Sequence, residues 1–284
     1  LGMAENAEAK TKEQINDLFD FNAPVTDVIE PSDNDYSYSG DGEQNFTLNN
    51  DSNKSAINIT GKHTTRKNFS VDNLNTITIT DTASNYSIYG SYANINLGTQ
   101  NNGIGSLIVN SGKSGISLAN TSSLNIHAND AIAINAGQKD PNGHTYGIYT
   151  TGTSTASLDT NTIKIVSNMN HSYDVAAKKY YSATNTTIDD ILVKNNNNEF
   201  VAPQETTTTA YGYGINAISG SEIDLVAHAK DLSEGQYALD IESANTTINV
   251  SGAATTTGTT DSDGYVHSKV PTIASNLSVA ADSI

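Results

Sequence analysis

Cysteine is absent from this 284-residue chain, and so is tryptophan. Without cysteine there are no disulfides, no thiolate metal sites and no cysteine nucleophile. Arginine occurs once, at Arg66, and proline only 5 times. Basic side chains number 14 against 31 acidic ones, a net charge of −17. A field of that sign repels phosphate backbones and disfavours docking on anionic lipid, so nucleic acid is not an expected partner. No apolar run approaches the ~18–20 residues of a membrane span. Apolar residues are also scarce, at 36% against the usual ~45–50% of globular chains. That deficit suits a stack with a thin core better than a ball with a thick one.

In their place stand 35 Asn, 34 Thr and 30 Ser, residues that serve tight corners and wet strand faces. Through them runs a returning phrase: a glycine followed by an aliphatic residue, a polar turn, then an alternating aliphatic pair. It reads Gly115-Ile116 with Leu124-Asn125-Ile126, Gly147-Ile148 with Ile163-Lys164-Ile165, and Gly214-Ile215 with Ile223-Asp224-Leu225. Earlier pairs are Ile57/Ile59, Ile77/Ile79, Ile95/Leu97 and Leu107/Val109, and a looser late one is Ile248/Val250. Alternation over a few residues places the aliphatics on one face of a short strand. A unit repeated about every 20 residues, unable to bury its face alone, predicts stacking. The expected fold is all-β: a parallel β-helix of roughly a dozen coils, a rod about 50–60 Å long at ~4.8 Å per coil.

The expected organisation is an N-terminal segment over 1–45 and a β-helix over 46–284. Residues 4 to about 20 have helical spacing at Ile15, Leu18 and Phe19, so this segment reads as a short helical or disordered cap. Pro24 and Pro31 then punctuate an acidic stretch. The regularity breaks into an insertion at about 169–209, with a smaller one at about 253–269. The first insertion brings Tyr173, Lys178, Lys179, Tyr180 and Tyr181 onto an acidic protein, an expected interaction loop because tyrosine pairs apolar area with a hydroxyl. No signal-like segment opens the chain, and Leu277–Ile284 still reads as strand with no polar cap after it. The sequence therefore reads as a fragment of a longer protein.

The phrases Gly147-Ile148-Tyr149-Thr150-Thr151-Gly152, Tyr213-Gly214-Ile215-Asn216-Ala217 and Tyr237-Ala238-Leu239-Asp240, with their partners Thr162–Ile165, Ser221–Leu225 and Thr246–Val250, resemble coils of the passenger domains of monomeric, type V bacterial autotransporters. The resemblance spans about residues 46–284 and is a pattern of repeats. It implies a right-handed β-helix displayed on or secreted from the cell surface, anchored through a C-terminal membrane barrel absent from this chain. It further implies a virulence-associated adhesin engaging a host or matrix molecule, a glycan, or another copy of itself in biofilm formation.

The chain carries none of the familiar catalytic motifs. Gly-Asp-Ser-Gly and Gly-x-Ser-x-Gly do not occur. Gly112-Lys113-Ser114-Gly115 lacks the upstream glycine of a phosphate loop. The histidines at 63, 127, 144, 171, 228 and 267 have no HExxH spacing. Asp261-Ser262-Asp263-Gly264 opens like a calcium loop but has no distal Glu. Asp224 and Asp240, placed in successive expected coils, are the acids that a sugar-cleaving pair would use. The expectation is a non-enzymatic adhesin with no cofactor or metal. A carbohydrate-active enzyme or tailspike, and a spacer displaying another domain, are the alternatives.

Overall fold

The structure, a computed structural model, describes residues 18–137, 144–167, 211–229 and 237–243. It also describes the backbone pairing of short strands within 172–201 and from Thr246 onward. Three parallel sheet faces wind into a β-helix, three strands to a coil. The first coil comprises β1 (Asp35–Ser39), β2 (Phe46–Asn50) and β3 (Ile57–Thr60), and the second β4 (Lys67–Asp72), β5 (Thr76–Asp81) and β6 (Tyr86–Ser91). The third comprises β7 (Ala93–Leu97), β8 (Ile104–Ser111) and β9 (Ser114–Ala119). In the fourth, β10 (Ser123–Ala136) runs through two faces before β11 (His144–Thr150). The fifth begins with β12 (Thr155–Thr160) and β13 (Thr162–Ser167). It is interrupted by the short strands β14 (Ser172–Asp174), β15 (Lys179–Tyr181), β16 (Thr187–Ile188), β17 (Val193–Lys194) and β18 (Phe200–Val201), and closes with β19 (Tyr211–Ala217). The sixth is β20 (Glu222–Ala227), β21 (Leu239–Ser243) and β22 (Thr246–Val250). Beyond it β23 (Val266–Ser268) and β24 (Ile273–Ala274) pair antiparallel with β21 and β25 (Leu277–Ala281), while β25 continues the first face beside β20.

Register explains the core. On the second face Phe46, Ile77, Leu107, Ile132, Ile163 and Leu239 form one inward column, and Leu48, Ile79, Val109, Ile134, Ile165 and Ile241 the next. The first face stacks Phe69, Ile95, Leu124, Ala156 and Ile223. The third stacks Ile57, Ile88, Ile116, Ile148 and Ile215. All are almost completely buried. Identical or similar side chains above one another keep rotamers compatible from coil to coil, which is how a thin core reaches dense packing.

The expected β-helix is therefore the fold, but its repeat differs. Ile57/Ile59, Ile77/Ile79 and Ile95/Leu97 lie on the third, second and first faces respectively. The interval of about 20 residues steps between faces of different coils and is not one coil. Among the described residues the third face holds 6 strands, hence six coils, and at ~4.8 Å per strand these six span roughly 25–30 Å.

Corners are built from polar residues. Where the third face turns into the first, Asn120, Thr121, Thr153 and Ser219 adopt left-handed backbone (φ 53, 55, 59 and 56°). Ser122, Ser154 and Ser221 line that corner from inside. Ser154 Oγ accepts from Ser122 N (3.1 Å) and Ser122 Oγ accepts from Ala93 N (3.2 Å), satisfying amides that the turn removes from the ladders. Where the second face meets the third, Asp81 is buried and accepts from Ser84 N (3.0 Å), Ala83 N (3.2 Å), Asn50 Nδ2 (3.0 Å) and Ser84 Oγ.

The stack starts before residue 46, because β1 already pairs along its length with β4. Above it, Val25 bridges to Leu48 and Ile29 to Ile57. Phe19 packs 4.5 Å from Phe46, with Phe21 at 5.6 Å from Tyr38. This cap is irregular rather than helical over the described residues 18–34; residues 1–17 lie outside them.

Candidate functional site

The three faces differ in what they turn outward. The first-face strands carry Asp35, Lys67, Asp72, Asp159, Glu222 and Asp224. The second-face strands contain Lys164, Asp240 and Glu242, while Asp81 is buried at the corner. The six strands of the third face contain no Asp, Glu, Lys or Arg at all. In a chain of net charge −17, that face is a neutral strip.

Tyrosine takes the place of charge there. Tyr89 and Tyr149 both register with Ser117 from either side, and Asn216 and Asn249 extend the column. Three residues earlier Tyr86 registers with Ser114, and Tyr146 with Tyr213; Tyr146 N donates to Ser114 Oγ at 3.0 Å. Five half-buried rings thus share one surface. Tyr146 lies 5.2 Å from Tyr213 at an interplanar angle of 21° and 4.7 Å from Tyr149. Tyr86 lies 6.0 Å from Tyr89. Ser114 and Ser117, small residues between tyrosine rows, are 3% exposed, so the rings above and below cover them.

Glycine makes room for this arrangement. A Cβ on Gly147 would lie 2.3 Å from Ile165 Cγ2 and 2.5 Å from Gly214 O, and one on Gly115 would lie 2.6 Å from Ile134 Cγ2. The third-face backbone presses inward against the second-face isoleucines at this row, and neighbouring tyrosines are thrown outward.

Clustering alters the hydroxyls. Burial pushes the Tyr86 hydroxyl above its ordinary value of 10.0, with Tyr149 and Tyr89 adding to the shift. Tyr146 is raised by burial and then by Tyr149, Tyr213 and Tyr86, partly offset by a hydrogen bond with Asn216. These groups stay neutral donors through the physiological range.

Outward amides on the other faces are largely spent on one another. Asn68 Nδ2 donates to Asp35 (2.7 Å), Asn94 to Asn68 (2.9 Å) and Asn125 to Asn96 (3.2 Å) on the first face. Asn135 donates to Asn110 (2.9 Å) on the second. Such ladders stiffen the rod.

Of the expected interaction loop, Tyr173 stands opposite Tyr180 in the antiparallel pair of β14 and β15, and Lys179 and Tyr181 lie on β15. Lys178 lies outside the described residues, as do Asp261 and Asp263 of the acidic turn and most of both insertions. Asp224 and Asp240 are not brought together: they sit in one coil, on the first and second faces. No cluster of His, Asp or Glu suited to a metal occurs among the described residues. The strip itself had a signal in the sequence. Tyr-Ser-Ile at 86–88 and Tyr-Gly-Ile at 146–148 and 213–215 are one motif three times, legible once its copies are aligned by coil.

No family model matches the chain, and no curated protein or solved structure matches it significantly.

Proposed function

We propose that this chain is the adhesive part of a bacterial surface protein, a passenger of the monomeric autotransporter type, attaching cells to host, matrix or neighbouring-cell molecules. The observation that carries the reading is the uncharged tyrosine strip on an otherwise acidic β-helix. Depletion of charge with enrichment of tyrosine is the composition of a recognition surface, not of a face kept wet for solubility. A rigid rod presents such a strip without ordering cost, and many copies on a cell convert weak contacts into firm attachment. The repeats that resemble autotransporter coils supply the expected display on the outer surface. The insertion between β13 and β19 re-enters the stack at Tyr211 on this same face, so Tyr173, Lys178, Lys179, Tyr180 and Tyr181 are proposed to contribute to the contact.

Coating beads with the chain and measuring their attachment to host cells, matrix proteins and chain-coated surfaces tests this. Attachment is expected, and is expected to fall when Tyr146 and Tyr149 are replaced by serine. Attachment unchanged by that replacement and by removal of 169–209 would place the adhesive site elsewhere. Beads that attach to nothing would favour a spacer.

A further inference from the structure

We infer that the occupant of the third face is a neutral, linear glycan lying along the stack axis; this rests on the adhesive reading above and narrows it. Three observations select that chemistry. The strip carries no fixed charge on any of its six strands, so a polyanion or polycation finds no counter-charge there. Its outward groups are the aromatic rings and hydroxyls of Tyr86, Tyr89, Tyr146, Tyr149 and Tyr213, with Asn216 buried among them and hydrogen-bonded to Tyr146. Sugar rings present C–H faces and hydroxyl edges, which match ring surfaces and polar tips of this kind. The strip is also narrow, one strand wide, and its tyrosines span coils two to five, roughly 14 Å at ~4.8 Å per coil, room for a few sugar residues in line.

A second copy of the chain fits less well. A stable protein interface takes about 800 Å² from each partner, more than a strip one strand wide supplies, so a second copy would have to spread over the neighbouring acidic strands that carry Asp159, Glu222 and Asp224. Like charges so placed oppose association.

The test uses the purified chain titrated separately with cellohexaose, maltohexaose and mannohexaose, with heparin and polygalacturonate alongside. Tyrosine fluorescence reports occupancy directly, since no tryptophan masks it. The variants are Tyr146→Ser and Tyr149→Ser, singly and together; in β9 Ser117 already stands in the row of Tyr149 and Ser114 in the row of Tyr86 and Tyr146, so the fold accommodates serine in both rows, and circular dichroism checks it. A saturable response to at least one neutral oligosaccharide is expected, weakened about tenfold or more, some 1.4 kcal/mol, in the double variant and insensitive to salt. Heparin and polygalacturonate are expected to give none. A response confined to the polyanions, or a neutral-glycan response unchanged in the double variant, overturns the inference. So does chain self-association that the same variants abolish without any glycan response, and that result would leave the adhesive reading standing. Loss of bead attachment in the variants, with no glycan response, likewise overturns the glycan and keeps the adhesive face.

Discussion

At the scale of single residues, the decisive positions are those whose neighbours repeat above and below. Gly147 has no room for a Cβ between Ile165 and Gly214, so Gly147→Ala is expected to cost about 1–3 kcal/mol by overpacking. Chemical denaturation would show the midpoint falling with little change in slope; an unchanged midpoint would mean the third-face backbone relaxes freely. The clustered tyrosines give a pH signature. The Tyr86 and Tyr146 hydroxyls are raised above 10.0 in the fold, so the folded state holds these protons longer than the unfolded chain. Their stabilising contribution is complete below about pH 10 and is lost as pH rises through the raised folded values. Alkaline difference absorbance should resolve a late-ionising subset of the tyrosines, and thermal stability should start to fall above pH 10. A single ionisation step at the ordinary value would contradict the cluster.

At the scale of elements, corners decide as much as strands. Arg66, the only arginine, precedes β4 and reaches over two coils: its guanidinium donates to Asn94 Oδ1 (3.1 Å), Thr121 Oγ1 (3.0 Å) and the Thr121 carbonyl. Arg66→Ala should cost about 1–2 kcal/mol, the lower part of the range for bonds to a charged group because the site is half-exposed. The Asp81 corner is more costly to disturb. Asp81→Ala strands the amides of Ala83 and Ser84 and the side chain of Asn50, about 2–4 kcal/mol for buried donors left unpaired. Thermal melts would rank the two variants, and Arg66→Ala falling further than Asp81→Ala would overturn this account of the corners.

At the scale of the whole molecule, charge acts as a field. A net charge of −17 self-repels, and the described ion pairs are few and exposed, as with Lys54–Glu30 at 3.1 Å. Raising the salt from about 0.01 M to about 0.15 M shortens the Debye length from ~30 to ~8 Å and is expected to raise the melting temperature. A fall would mean that attractive pairs outweigh the repulsion. The third face stands out only at this scale, because its neutrality is visible when six strands separated in sequence are set side by side.

Much of the fold was present in the sequence. Aliphatic pairs at alternate positions, glycine before isoleucine, and an abundance of Asn, Thr and Ser oblige short strands with one buried side and many tight corners, and no closed globule follows from so thin an apolar content. The coil length was not legible there, because all three faces carry the same aliphatic pair and adjacent pairs therefore look like adjacent coils. Pairing removes that ambiguity: Ile77 meets Leu107 rather than Ile95. The tyrosine site was hidden for the same reason. Tyr86, Tyr146 and Tyr213 are distant in the chain, and only the coil-to-coil register places Tyr213 on Tyr146 and aligns both with the row of Tyr86. Side-chain type and local alternation are properties of the chain; which repeats become neighbours is settled by closing each coil over the last.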